Sequence, residues 1–257
     1  MNVLVTGGSG MLGRVLVPLL QNAGHVVLVG SRHPRGPGQV PYSFRHDVET
    51  LEGLLVGTDT VVHLATNHQS LRADGEAAER LVKGCARSGV GHLILVSIVG
   101  IDGHPFRYYR AKLAAEKVVA NDEVPWTILR ASQFHDFVAN MADGIRRLPF
   151  VAVPAGIQFQ PLDINIAAER IVELVGDGPS GRVSDLVGPE VLDLRDALTD
   201  YLAARGRRRL TLPMPMRGKS ISAFRRGDAI RKHESPIGAT FGEYLDGVRR
   251  SSQGHSL

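Results

Sequence analysis

Apolar residues follow two alternating rhythms over the first 130 positions. Val3–Thr6, Val26–Val29, Thr60–Leu64, His92–Ser97 and Trp126–Leu129 are short aliphatic runs, of the length and β-branched content that fully buried strands have. Between them the apolar spacing changes to three or four. That spacing predicts helices over Met11–Asn22, Leu51–Val56, Ala73–Ser88 and Tyr108–Ala120; in the third of these, Ala77, Leu81 and Cys85 share one face. Pro34-Arg35-Gly36-Pro37-Gly38 is a cluster of chain breakers and reads as a surface loop, with a weaker strand at Tyr42–Arg45 after it. Strand–helix alternation of this kind predicts an α/β fold. It has a doubly wound parallel sheet, helices on both faces and right-handed crossovers.

The rhythm loosens after Ala131. Helices are expected over Phe134–Arg147, Ile166–Val175, Leu194–Ala204 and Phe241–Val248, and strands over Phe150–Val153 and Val183–Val187. Thr211–Met216 is broken by prolines. The expected organisation is a core over 1–130 and a smaller C-terminal lobe over 131–250, interleaved with the core. Residues 251–257 are expected to form a frayed tail.

The first strand runs into Thr6-Gly7-Gly8-Ser9-Gly10-Met11-Leu12-Gly13 before the first helix. Glycines three apart at a strand-to-helix turn serve three ends. They allow a tight turn, let the backbone approach a pyrophosphate, and let helix and strand come close. The helix N-terminus then offers amide donors and a positive dipole end to the phosphates. This turn makes the sheet a Rossmann fold that holds a nicotinamide dinucleotide. An acid at the end of the second strand would bind a ribose 2′-hydroxyl and repel a 2′-phosphate. Gly30-Ser31-Arg32 stands there instead, which favours NADP; serine donates a hydrogen bond and arginine forks onto phosphate, with Arg14 near by. The competing reading of Arg32 is an exposed loop residue.

Ligands of an open parallel sheet lie outside the carboxyl ends of its strands. The exits here carry small or polar residues throughout: Gly7; Ser31 and Arg32; Asp47 with Val48; Leu64, Ala65 and Thr66; Ser97; then Arg130, Ala131 and Ser132. Asp47 is read either as an acceptor for the adenine amino group or as a helix N-cap. Tyr108 and Lys112 are i and i+4, hence on one helix face. A tyrosine is a poor acid at neutral pH, and an ammonium beside it stabilises the phenolate. Tyr108 then serves as general acid or base, Ser97 binds the reacting oxygen, and Lys112 also holds the nicotinamide ribose. Tyr109 is the register alternative but has Leu113 four residues on. His104, Gln133, Phe134, His135 and Phe137 are expected to line the substrate pocket, with Asn140 and Met141 beside them. Phe134, Phe137 and Met141 equally suit the buried stripe of a helix.

These residues together resemble the short-chain dehydrogenase/reductase superfamily. The likeness rests on the glycine turn, Ser31-Arg32, Asp47-Val48, Ser97 and Tyr108 to Lys112. Trp126-Thr127-Ile128-Leu129-Arg130, Pro161-Leu162-Asp163-Ile164 and Phe241-Gly242-Glu243-Tyr244-Leu245 are similar to its atypical, NmrA-like branch. The resemblance implies NAD(P)H binding with Ser97, Tyr108 and Lys112 in the catalytic positions. Two positions depart from it. Ala131 stands where such proteins often have proline, and His63-Leu64-Ala65-Thr66 lacks a glycine often seen there. Many atypical members have lost the Tyr/Lys pair and only sense cofactor redox state; this chain keeps the pair, which favours an enzyme. The leading reading is an NADPH-dependent reductase of a carbonyl or conjugated double bond. A redox-sensing regulator and a redox-neutral epimerase, dehydratase or cyclase are the alternatives.

Composition narrows the partners. The 257 residues are 43% hydrophobic and 22% charged, ordinary for a globular protein. No apolar run approaches the roughly 20 residues needed to span a bilayer. No export signal is read at the N-terminus, and Cys85 is the only cysteine, which together suggest a reducing cytoplasm. The formal charge is +4, with basic clusters at Arg205–Arg209, Arg225-Arg226 and Arg231-Lys232. No aromatics interleave with these, so they read as a solvated face paired with local acids, without nucleic acid as partner. The histidines, His63 and His68 among them, show no metal-ligand spacing, and no metal is expected. A small-molecule substrate is expected, acted on by a monomer or homodimer.

Overall fold

The computed structural model describes residues 1–66, 71–144, 150–207, 209–231 and 236–253. In the first half, β1 (Asn2–Thr6), α1 (Met11–Asn22), β2 (Val26–Ser31), β3 (Gln39–Pro41), α2 (Val48–Leu55), β4 (Thr60–His63), α3 (Leu71–Arg87), β5 (His92–Ile98), α4 (Arg107–Ala120) and β6 (Trp126–Ala131) alternate as expected. The second half holds α5 (His135–Gly144), β7 (Phe150–Pro154), β8 (Gln158–Phe159), α6 (Ile164–Asp177), β9 (Gly181–Arg182), β10 (Leu192–Asp193), α7 (Leu194–Ala204), β11 (Leu210–Met214), α8 (Lys219–Arg226) and α9 (Phe241–Gln253).

Seven strands form one parallel sheet in the order β3-β2-β1-β4-β5-β6-β9. Order reverses beside β1, the topological switch point of a Rossmann fold. Side chains alternate across the sheet as period 2 requires. Val3 and Val5 join the cluster under α1 and α6, and Leu4 the cluster under α2, α3 and α4. Ile94 and Leu129 repeat the first choice, Leu93, Leu95 and Ile128 the second. Each of these aliphatic side chains contributes about 1.5–3 kcal/mol by leaving water. Although α6 follows residue 131 in sequence, Ile164, Ala167, Ala168 and Ile171 pack into the first cluster against α1. The chain therefore threads back into the sheet layer after leaving it. A third cluster unites α5, β7, β8, α7 and α9 through Val138, Val151, Phe159, Leu198, Tyr201 and Phe241.

Three expected elements differ. The third strand is Gln39–Pro41, not Tyr42–Arg45. Tyr42 is an aromatic core plug, 4% exposed, whose N–H donates to the Ser31 carbonyl, and the chain then turns at Ser43–His46. The late strand is Gly181–Arg182 rather than Val183–Val187. Beyond it Val183 N–H donates to the Ile128 carbonyl, Leu186 N–H donates to the Arg130 carbonyl, and Leu186 stands opposite Ala131. Thr211–Met216 contributes a strand after all, β11, which pairs parallel with β7 and tolerates Pro213 because it lies on an edge. The end of the expected helix at Arg147, His68, Arg208, Lys232 and residues 254–257 lie outside the described residues. No helix among the described residues is long and apolar enough to cross a membrane.

One buried charge group joins the layers. Arg130 in β6 is 2% exposed; its Nε donates to Glu116 Oε1 at 2.7 Å and its Nη2 to Glu116 Oε2 at 2.5 Å, both on α4. Nη2 also donates to Asp102 Oδ1 at 3.0 Å, and Nη1 to Asp102 Oδ2, in the loop after β5. Asp102 lies 3.8 Å from Arg231 of the C-terminal segment. Removing one partner of such a pair leaves an uncompensated charge inside, a cost of about 3–5 kcal/mol. Arg130→Ala is therefore expected to lower the free energy of urea unfolding by that amount. A change within experimental error would show that the group does not hold these elements together.

Candidate functional site

The parallel register brings the strand exits to one edge. Thr6 lies opposite Gly30 on one side and His63 on the other, and Ser97 lies opposite Arg130. At the β1 exit, Gly7 has φ +72°, and its N–H donates to the Gly30 carbonyl. A Cβ there would lie 2.8 Å from the Ala65 amide nitrogen, so the turn sits directly against Leu64-Ala65 after β4. A Cβ on Gly13 would lie 2.4 Å from Gly8 Cα, because the first turn of α1 rests on the loop backbone. Gly10 differs, since among the described residues a Cβ there would meet just the Gly7 carbonyl oxygen, at 3.0 Å. Gly10 caps α1 without a side-chain bond, and the first turn, Met11, Leu12 and Gly13, holds no acid. An open backbone face at an uncapped helix N-terminus fits a pyrophosphate.

Around this turn the neighbouring exits close in. Ser9 Oγ and Ser31 Oγ are 3.3 Å apart, and Ser31 Oγ also accepts from His33 N–H. Arg14 Nε donates to the Ser9 carbonyl at 3.0 Å, which lays this cation over the same corner; Arg32 is exposed beside Ser31. Asp47 caps α2, its Oδ1 accepting from Thr50 N–H at 2.9 Å, with Val48 as the first helical residue. That hydrogen bond holds its carboxyl below the usual aspartate range. Thr6 Oγ1 and His63 Nδ1 bond at 2.7 Å beneath the turn, both buried. Leu64, Ala65 and Thr66 are half-buried along the edge.

At the β5 exit, Ser97 is 3% exposed, and its Oγ has no hydrogen-bond partner among the described residues. Lys112 in α4 is buried, and its Nζ donates to the Val96 carbonyl at 3.4 Å, which brings it to the end of β5. Tyr108 is half-buried, one turn before Lys112, in a cluster with Ile98. Tyr109 is fully inside; its Oη accepts from Gln133 Nε2, and burial pushes its hydroxyl pKa above the ordinary tyrosine value. His104 is buried against Tyr109 and Phe224, with ring centroids 4.7 and 4.5 Å apart.

The β6 exit divides its residues between cleft and core. Ala131 is buried opposite Leu186, and Ser132 Oγ accepts from Gly188 N–H at 3.3 Å. Phe134 packs on the core cluster beside Leu162. His135 is buried against Phe241 and Tyr244 of α9. Phe137 stays exposed, and Asn140 Nδ2 reaches Met11 Sδ at 3.8 Å, which carries α5 over the phosphate turn. Sequence reading did not find Phe224, Asp102 or Glu116 at this end of the sheet. Their places follow from long-range packing that no local spacing encodes. Among the described residues, no group of three His, Cys, Asp or Glu side chains is placed to hold a metal. In the basic clusters, Arg226 pairs with Asp228 at 2.6 Å, and Arg231 lies 3.7 Å from Asp185.

Residues 7–146 match the model of a family described as NAD(P)H-binding. Over 250 residues the chain is 28% identical to a Streptomyces griseus protein named (4-alkanoyl-5-oxo-2,5-dihydrofuran-3-yl)methyl phosphate reductase, covering 93% of this chain and 84% of that protein. Among solved structures it is similar to an NADPH-dependent quinone oxidoreductase from Escherichia coli complexed with NADPH. That match has a TM-score of 0.76 at 14% identity and covers 96% of this chain and 99% of the other. It is also similar to a triphenylmethane reductase from Citrobacter, with a TM-score of 0.76 at 14% identity over 98% and 100% of the two chains. At these identities the likeness shows the fold alone.

The buried His63 gives a measurable pH dependence. Burial, and then the charge of Lys112, lower its pKa from 6.5 to about 3. Between these values the unfolded chain binds a proton that the folded chain does not. Its contribution is therefore complete above pH 6.5 and is lost as the pH falls towards 3, at about 1.4 kcal/mol per pH unit. Burial lowers His92 to about 4 and adds a slope of the same sign. Urea unfolding at pH 7 and pH 5 is expected to show lower stability at pH 5, with a shallower slope in His63→Gln. Equal slopes in the two proteins would contradict this.

Proposed function

This chain belongs to the NAD(P)H-binding family, and from that premise we propose that it stands on the NmrA-like branch of the short-chain dehydrogenase/reductase superfamily and is an NADPH-dependent reductase of a small-molecule carbonyl compound or enone. The observation that carries this reading is Ser97 Oγ, buried and without a partner among the described residues at the exit of β5, with the Lys112 ammonium anchored on the adjoining Val96 carbonyl. A buried hydroxyl without a partner is costly by about 1–3 kcal/mol, a cost that a bound oxygen relieves. The Streptomyces relative is named as a reductase of an unsaturated lactone, which supports a conjugated carbonyl as substrate class.

In this reading the turn Gly7–Gly13 and the N-terminus of α1 hold the pyrophosphate, with Thr6, Met11 and Leu12 around it. Leu64, Ala65, Thr66, Ala131 and Ser132 flank the cofactor along the sheet edge. Ser31, Arg32 and Arg14 hold the 2′-phosphate, and Asp47 with Val48 borders the adenine. Bound there, a dihydronicotinamide supplies a hydride. Ser97 orients the substrate oxygen, and Tyr108 donates the proton that this oxygen or the adjoining carbon needs. Lys112 tunes Tyr108 and holds the ribose. Tyr109 is a poorer acid, because burial pushes its hydroxyl pKa above the ordinary tyrosine value.

Two measurements test the reading. NADPH consumption is followed against a panel of ketones, aldehydes, quinones and enones. Tyr108→Phe is expected to lower kcat at least about 100-fold while NADPH affinity stays within about threefold. Undiminished turnover in that variant would remove the mechanism, and substrate conversion without NADPH consumption would point to redox-neutral chemistry. Arg32→Ala is expected to weaken NADPH binding about tenfold and leave NADH binding unchanged. Equal loss for both cofactors would remove the 2′-phosphate assignment.

A further inference from the structure

Two buried polar atoms of opposite character belong to side chains that contact Tyr109, one at its ring and one at its hydroxyl. His104 Nδ1 accepts from Phe106 N–H at 3.1 Å, so the ring proton sits on Nε2. That Nε2–H is a buried donor with no partner among the described residues. Burial lowers the pKa of His104, which keeps the ring in this neutral form. Gln133 gives its Nε2 to Tyr109 Oη, which leaves Oε1 a buried acceptor, also without a partner. Neither group is free to turn away. Tyr109 is 3% exposed, and its ring is clamped by His104, Phe106 and Phe224 at 4.7, 5.6 and 5.6 Å between centroids. Native interiors seldom leave such atoms unpaired, and those that remain mark a ligand, a water or strain.

We propose that His104 Nε2–H and Gln133 Oε1, positioned by Tyr109, form a recognition subsite for a substrate substituent that both accepts and donates a hydrogen bond. A hydroxyl group is the smallest such substituent. The subsite rests on the reductase reading, since its two side chains come from the segments that follow β5 and β6, the strands at whose exits that chemistry is proposed. His104 lies in the loop between Ser97 and Tyr108, and Gln133 lies two residues beyond the end of β6. The substrate is thus a carbonyl compound or enone carrying a hydroxyl close to its reacting group. A site that pairs buried groups with a substrate hydroxyl discriminates against the analogue lacking it, because the groups are then left unpaired. Tyr109 is a positioning residue and takes no part in proton transfer.

The test uses a matched pair of lactones, 4-(hydroxymethyl)-2(5H)-furanone and 4-methyl-2(5H)-furanone. Their dissociation constants are measured by ligand-observed NMR titration of the full chain with saturating NADP⁺. The hydroxymethyl lactone is expected to bind about tenfold more tightly than the methyl lactone. Gln133→Leu is expected to erase that preference, so that the two lactones bind within about twofold of one another. His104→Phe, which keeps the ring packing, removes the preference in the same way, and Tyr109→Phe reduces it to about threefold. The proposal is overturned if neither lactone binds, if the native chain shows no preference, or if the preference survives Gln133→Leu. Equal weakening of both lactones in the variants also overturns it, since that marks a structural role or a trapped water. Turnover is not read here, so a failed NADPH-consumption panel overturns the reductase reading separately.

Discussion

Parallel strands carry evenly spaced, slanted hydrogen bonds, so the register of one pair propagates across the sheet. Here that register is set at Thr6, which faces Gly30 in β2 and His63 in β4 and bonds His63 through its own hydroxyl. The next residue, Gly7, donates to Gly30 and passes so near Ala65 that a side chain would strike the backbone. The strand exits are thereby fixed within reach of one another. Every later feature of the site depends on that closeness: the uncapped start of α1, the Ser9–Ser31 contact, and the approach of Lys112 to the end of β5.

A second constraint keeps the far side of the cleft in place. Arg130 leaves β6 beneath the cofactor edge, yet its guanidinium turns inward to Glu116 and Asp102. Gly100, in the same loop as Asp102, lies so close to Ala229 that a Cβ would come within 2.5 Å of its Cα. The loop that joins Ser97 to Tyr108 is thus fastened to the C-terminal segment, and Phe224 of α8 closes over His104 and Tyr109. Cys85, by contrast, is a core residue. Burial raises its thiol pKa to about 12, which makes it inert.

Much of this was legible in the sequence because it is local or periodic. Alternating strands and helices, the glycine spacing and the Tyr108–Lys112 offset each follow from one stretch of chain. Asp47 shows the limit of such reading: its spacing suited a cap and a ligand equally, and the structure places it as a cap with its carboxyl on Thr50. Tyr42 carried a strand signal because aromatics favour strands, but its ring is spent filling the core beside β2. Arg130 followed a strand exit like its neighbours, and only the fold reveals the two carboxylates that turn it inward. The contacts of α8 and α9 with His104 and His135 join residues about 100 positions apart, beyond any pattern of three or four.

The central claim is that the open backbone face at Gly10 receives the cofactor's pyrophosphate. Gly10 has φ −76° and ψ −175°, extended values that any residue adopts, but a Cβ there meets the Gly7 carbonyl oxygen at 3.0 Å, so valine requires the turn to give by a few tenths of an ångström. The direct measurement is a fluorescence titration of NADPH into the native chain and Gly10→Val, with unfolding curves to confirm that both are folded. The account predicts saturable binding to the native chain and at least about a tenfold loss in the variant, a steric block of phosphate approach. Undiminished affinity in a folded Gly10→Val, or no binding by the native chain, would contradict it.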